Sequence, residues 1–112
     1  MNTREENFVL VKKEQRYSTR NGGHYWLLVF LDPTTGELLE TSCDPLYDNW
    51  KNWRDIIEDP RSPGIYRNLQ VVDKRTRSGS RVISADTHPL LVERLTPDEI
   101  QLLLEAILSQ IS

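Results

Sequence analysis

His24-Tyr25-Trp26-Leu27-Leu28-Val29-Phe30-Leu31, then Asp32-Pro33-Thr34-Thr35-Gly36-Glu37, then Leu38-Leu39-Glu40-Thr41-Ser42-Cys43: this run decides the fold class. In the first segment both alternating sets are apolar, Tyr25, Leu27, Val29 and Leu31 against Trp26, Leu28 and Phe30. A strand with period 2 sends these sets to opposite faces, so it reads as a central strand covered on both sides. In the second segment Pro33 presets φ and Gly36 permits a reversal. The third then returns as an antiparallel partner, giving a hairpin over residues 24–43.

Toward the N-terminus, Phe8-Val9-Leu10-Val11 opens a strand that runs on into Lys12-Lys13-Glu14-Gln15-Arg16, where the charge places one face in water. Ser18-Thr19-Arg20-Asn21-Gly22-Gly23 supplies the turn between this strand and the hairpin. Residues 1–6 read as a flexible tail. On the C-terminal side, Asp48 or Asn49 can cap a short helix that carries Trp50, Trp53, Ile56 and Ile57 on one face and ends at Pro60 and Pro63. Ile65, Leu69 and Val71 alternate with polar residues, and Arg67, in the apolar phase, marks a bulge or an edge. Ser78-Gly79-Ser80 turns the chain into a strand over Arg81-Val82-Ile83-Ser84-Ala85, and Leu90 to Leu95 forms a last extended piece.

Thr96-Pro97-Asp98-Glu99 is the sharpest local signal. Thr96 is an N-cap, Pro97 fits the first helical position, and Glu99 can reach back to the Thr96 amide. Ile100, Leu103, Leu104, Ile107, Leu108 and Ile111 follow at helical spacing, so an amphipathic helix closes the sequence.

The predicted class is mainly β with two helices (α+β): a small antiparallel β-barrel in one domain spanning residues 1–112. Its element order, β-β-β-α-β-β before the C-terminal helix, resembles that of the OB-fold. In that fold the binding surface lies by the first and fourth loops. The resemblance rests on order alone, and a fold does not specify a function.

Composition narrows the class further. The chain has 112 residues, 38% hydrophobic and 28% charged, the balance of a soluble globule and of neither a membrane protein nor a disordered tail. The longest apolar run, Tyr25 to Leu31, is far below the ~20 residues needed to span a bilayer. The acidic start, Met1-Asn2-Thr3-Arg4-Glu5-Glu6, lacks the pattern of a secretory leader, so a cytoplasmic location is expected. Cys43 has no second cysteine to pair with and reads as a small buried apolar side chain.

Catalytic chemistry is thinly supplied. His24 begins an apolar strand and His88 precedes a proline; both read as strand-end imidazoles rather than general bases. No nucleophile elbow, glycine-rich phosphate loop or Walker-type motif occurs. Two isolated His cannot furnish a metal-binding barrel, and Asp32, Asp44 and Asp48 are spaced as turn and cap residues rather than a calcium loop. No cofactor, no metal and no enzyme activity are expected.

Binding remains. The net charge of −3 is unevenly spread: +2 over residues 1–23, −6 over 24–60, +5 over 61–81 and −4 over 82–112. One expected surface is a basic patch for an anionic partner, joining Arg16 and Arg20 near the first loop to Lys74, Arg75, Arg77 and Arg81 around the fourth. It would serve single-stranded nucleic acid, with Arg and aromatic side chains neutralising phosphates and stacking bases. The leading expectation is instead a non-catalytic protein-interaction or adaptor module, or a homodimer. Its contact residues would be Trp50 and Trp53 on the first helix and Leu102 beside the apolar stripe of the second.

Overall fold

A computed structural model describes residues 2–4, 7–18, 23–44, 50–59, 63–77, 79–84 and 86–111. In chain order the elements are β1 (Asn2–Arg4), β2 (Phe8–Ser18), β3 (Gly23–Leu31), β4 (Leu38–Cys43), α1 (Trp50–Glu58), β5 (Gly64–Arg67), β6 (Leu69–Arg75), β7 (Arg81–Ile83), β8 (Leu90–Arg94) and α2 (Pro97–Ile111). The fold is mainly β with two helices, as the patterning predicts. The closed antiparallel barrel is not formed. One sheet of order β1-β6-β7-β4-β3-β2-β5-β8 curls into a half-barrel, with β1 and β8 as its edges. It is mixed, because β7 lies parallel to β4, a pairing that needs the long crossover through α1, β5 and β6.

The hairpin forms as read. β3 pairs with β4 from Trp26 opposite Cys43 to Leu31 opposite Leu38. At its tip Asp32 is buried, its Oδ1 accepting from the Thr34 amide at 2.9 Å and its carbonyl from the Gly36 amide at 2.8 Å. Gly36 sits at φ 77°, the left-handed region that a side chain would strain.

β3 is covered on both faces. Leu28 and Phe30 join Phe8, Leu10, Leu39, Tyr66, Leu69 and Ile83 in the principal core, against Trp53, Ile56 and Ile57 of α1. Phe30 is its centre, with ring centroids 6.2 Å from Trp53 and 6.0 Å from Tyr66. On the opposite face Leu31 and Val9 pack with Ile100 of α2, and Val11, Ile65, Leu95, Leu103 and Leu104 surround them. The start of α2 has the predicted reciprocal cap. Glu99 Oε1 accepts from the Thr96 amide at 3.0 Å, and Thr96 Oγ1 from the Glu99 amide at 3.2 Å.

Three features depart from the sequence reading. Residues 2–4, expected in a tail, form β1 against β6. The strand expected over 65–71 is two strands, broken at Asn68 with φ 66°, a conformation that Asn tolerates better than most residues. Its side-chain amide donates to the His88 carbonyl at 2.9 Å. β2 also changes phase: Leu10 faces Phe30, yet Lys12 faces Val29, so Val11 is an extra residue. Beyond this bulge Lys13, opposite Leu28, falls on the core face. The expected caps Asp48 and Asn49, and Ala85 at the end of its strand, lie outside the described residues.

Candidate interaction surface

The strand pairings decide whether the basic residues can act together. The β2–β3 connection lies at the end of the sheet where Ser18 faces Gly23. The β6–β7 loop lies at the other end, because β7 is parallel to β4 with Arg81 opposite Leu39. The full length of β3 separates them, about 25–30 Å for nine residues. Arg16 therefore shares no patch with Lys74, Arg75, Arg77 and Arg81, a correction to the single basic surface expected; Arg20 lies outside the described residues.

Most of these cations are also paired. Glu14 Oε2 accepts from Arg16 Nε at 3.1 Å and lies 3.2 Å from Lys12 Nζ, and these bonds hold its carboxyl below the ordinary range. Arg75 and Arg81 face each other across β6 and β7, a like-charge pair relieved by Glu37, 3.3 Å from the first and 3.5 Å from the second. Lys74 lines a shallow cavity of about 350 Å³ with Glu40, Ser42, Thr76 and Val82, and Arg77 is exposed at the loop.

The tryptophans are core residues. Trp53 is fully buried, and Trp50 is half-buried against the same cluster, so this face of α1 packs on the sheet. Cys43 is also buried, which pushes its thiol up to about 12 and removes the thiolate that nucleophilic chemistry needs. His24 stacks edge-on against Tyr17 at 5.4 Å. Among the described residues no group of three His, Cys, Asp or Glu is placed to hold a metal ion. No helix among them is long and apolar enough to cross a membrane.

Two exposed apolar features stand out among the described residues, one on α2 and one on β8. Leu102 is 66% exposed on α2, and every residue of β8 is exposed: Leu90, Leu91 and Val92 in succession, then Glu93 and Arg94. β8 pairs only with β5, from Gly64 opposite Arg94 to Arg67 opposite Leu90, with Val92 as the extra residue of a bulge. Its other edge carries no strand among the described residues. Gly64 permits the pairing: a Cβ there would lie 2.5 Å from the Glu93 carbonyl oxygen and 3.1 Å from the Arg94 Cα. Arg94 is anchored to the Asp59 carboxylate, and the Leu95 amide donates to the Pro63 carbonyl at 3.0 Å. Sequence reasoning found the strand and Leu102 but missed the edge. Its signal is an apolar triplet in a short last strand beyond the hairpins, with neither Lys nor Pro within β8.

A second residue it missed is Lys13. Its Nζ donates to the carbonyls of Ile56, Ile57 and Asp59 at 3.2, 2.8 and 3.0 Å, placing a charged donor at the C-terminal end of α1. Burial pushes this ammonium down from its ordinary value, and Asp59 draws it back up.

No protein-family model matches the chain, and no curated protein and no solved structure matches it either.

Proposed function

We propose that this protein is a non-catalytic protein-interaction module that works in the cytoplasm, where a single buried thiol needs no disulfide partner. Its contact surface is the open edge of β8, with Leu102 of α2 as an additional apolar contact. The observation that carries the reading is the exposure of three consecutive apolar side chains on a strand whose outer edge meets no strand among the described residues. A row of backbone donors and acceptors beside apolar side chains is what strand addition uses, and an edge left this way invites pairing.

An OB-like architecture is part of the same proposal. Counting β1 with β2 and β5 with β6, the pairings run first strand to second, second to third, third to fifth, fifth to fourth and fourth to first, with α1 between the third and fourth. That sequence of neighbours supports a barrel-like unit to which β8 and α2 are appended. Single-strand binding through both basic loops gains nothing from it, since the loops stand at opposite ends and Arg16, Arg75 and Arg81 already meet carboxylates.

Photo-crosslinking in native cells tests the reading. A benzophenone side chain at Leu91 or Leu102 should yield one and the same adducted protein, lost when Leu90 and Val92 are both changed to Lys. An equal yield from Arg77, at the far loop, or adducts indifferent to the double change would refute it.

A further inference from the structure

We infer that the end of the sheet at the β6–β7 loop binds a small phosphate monoester between Arg75 and Arg81, where the Glu37 carboxylate now sits. This goes beyond the interaction reading and uses none of the β8 surface.

The two guanidinium groups belong to residues directly opposite each other on β6 and β7, a placement of like charges that ordinarily destabilises a sheet. Glu37 relieves it sparingly. Its Oε1 lies 3.3 Å from Arg75 and its Oε2 3.5 Å from Arg81, both beyond the roughly 2.7–2.9 Å of a close charge-assisted bond. One carboxylate thus spans two cations. Arg75 is also held independently of Glu37, because its Nη1 donates to the Gly79 carbonyl at 2.9 Å. The loop that presents this carbonyl is itself closed, the Thr76 amide donating to the Ser80 carbonyl at 2.8 Å and the Gly79 amide to the Thr76 carbonyl at 3.0 Å. Beside the pair lies an open cavity of about 290 Å³ lined by Glu37, Leu38, Arg75, Gly79 and Ser80. Since Glu37 lines the cavity and meets both arginines, the space its carboxylate would vacate joins the cavity to both guanidinium groups. The Glu37 backbone is fixed by the Asp32 amide donating to its carbonyl at 2.9 Å, so its part-exposed side chain can turn outward without moving the turn.

The charges nearby select the ligand. The other charged residues of the β3–β4 turn, the β6–β7 loop and the adjoining strand positions are Asp32, Glu40, Asp73, Lys74 and Arg77, three acidic against two basic. No broad positive field therefore draws a polyanion here, and a nucleic-acid strand, with one charge per phosphodiester, finds no track of cations to follow. A carboxylate ligand offers no more than Glu37, which the chain already holds in place at high effective concentration. A phosphate monoester brings about 1.5–2 negative charges at neutral pH and three terminal oxygens, enough to meet both guanidinium groups at once. The cavity is at the small end of ligand pockets, which run from about 300 to 1,000 Å³, so the esterified group has only a few carbon atoms.

Titration of the full-length protein with glycerol phosphate at low salt, followed by amide NMR shifts, is the test. The Glu37, Gly79 and Ser80 amides should move together with a single dissociation constant. Glu37→Gln removes the competing carboxylate and should tighten binding about tenfold, whereas Arg75→Gln and Arg81→Gln should each weaken it at least about tenfold. Dispersed spectra show which variants are folded, and Arg75→Gln, at an exposed side chain, carries the comparison if Arg81→Gln is not. Binding that is unchanged or weaker in Glu37→Gln would overturn the proposal, as would shifts absent from wild type and Glu37→Gln alike. Acetate or an oligothymidylate without terminal phosphate binding as tightly as glycerol phosphate would also overturn it. Inorganic phosphate binding more tightly than the ester would replace the monoester as ligand.

Discussion

Replacing Lys13 by Met keeps most of the stem's bulk and removes only the ammonium, so it isolates the cap on α1. Three carbonyls of the last helical turn lose a charged donor at 2.8–3.2 Å. A hydrogen bond to a charged group is worth about 1.5–3 kcal/mol before competition from water, and a cation at a helix C-terminus up to about 2 kcal/mol. The three bonds share one charge, and the site is only part-buried, so water replaces some of what is lost. About 2 kcal/mol is the expected net destabilisation. With a urea slope of roughly 1–3 kcal/mol/M, the midpoint should fall by about 1 M. Lys12→Met is the control: the Lys12 side chain is 53% exposed and its ion pair among the described residues is with Glu14, and its loss should cost under about 0.5 kcal/mol. Urea melts of both variants settle the matter, and equal midpoints would refute the capping argument. Hydrogen exchange should localise the loss to the amides at the end of α1.

Leu28→Ala should cost about 2–5 kcal/mol in chemical denaturation, because Leu28 is fully buried beneath α1 and its removal leaves a cavity; a loss under about 1 kcal/mol would contradict the packing. Thr96→Ala should cost about 1 kcal/mol, and unchanged exchange protection at the start of α2 would dismiss the reciprocal cap. Burial raises Cys43 from 9.0 to about 12 and Tyr66 from 10.0 to about 12. The folded state keeps these protons where the unfolded chain gives them up, so stability present below about pH 9 should decline as pH rises toward 12. Urea midpoints that stay level over that range would count against both burials, and Cys43→Ala should remove the earlier part of the decline.

What was legible in the sequence was local. The hairpin over 24–43 announces itself through two apolar phases and a Pro–Gly turn, and the start of α2 through four residues whose side chains answer one another. Features set by pairing were not legible. Val11 shifts the phase of β2 without any glycine to mark it, so nothing in the alternation tells Lys13 from Lys12. Asn68 breaks a strand through a left-handed conformation that Asn can take but that an Asn in a sequence does not by itself announce. The two basic loops look equivalent along the chain; which end of the sheet each occupies depends on β7 running parallel to β4, a relation between strands more than thirty residues apart. The tryptophans of α1 have helical spacing whether they face a sheet or a partner, and only the sheet beneath shows which.

The pairing of β1 and β2 with β6 and β5 also sets an order of events. Residues 2–10 find their neighbours about 60 residues further along the chain. Closing such a span costs entropy before any contact rewards it, and contacts this distant slow folding. On the ribosome the consequence is concrete. Phe8 and Leu10 emerge early, the hairpin over 24–43 can form beside them, but the strand at 64–71 that completes their neighbourhood arrives only after α1 has left the tunnel. Until then the N-terminal strand presents an unshielded apolar stripe, the period in which a chaperone would be of most use.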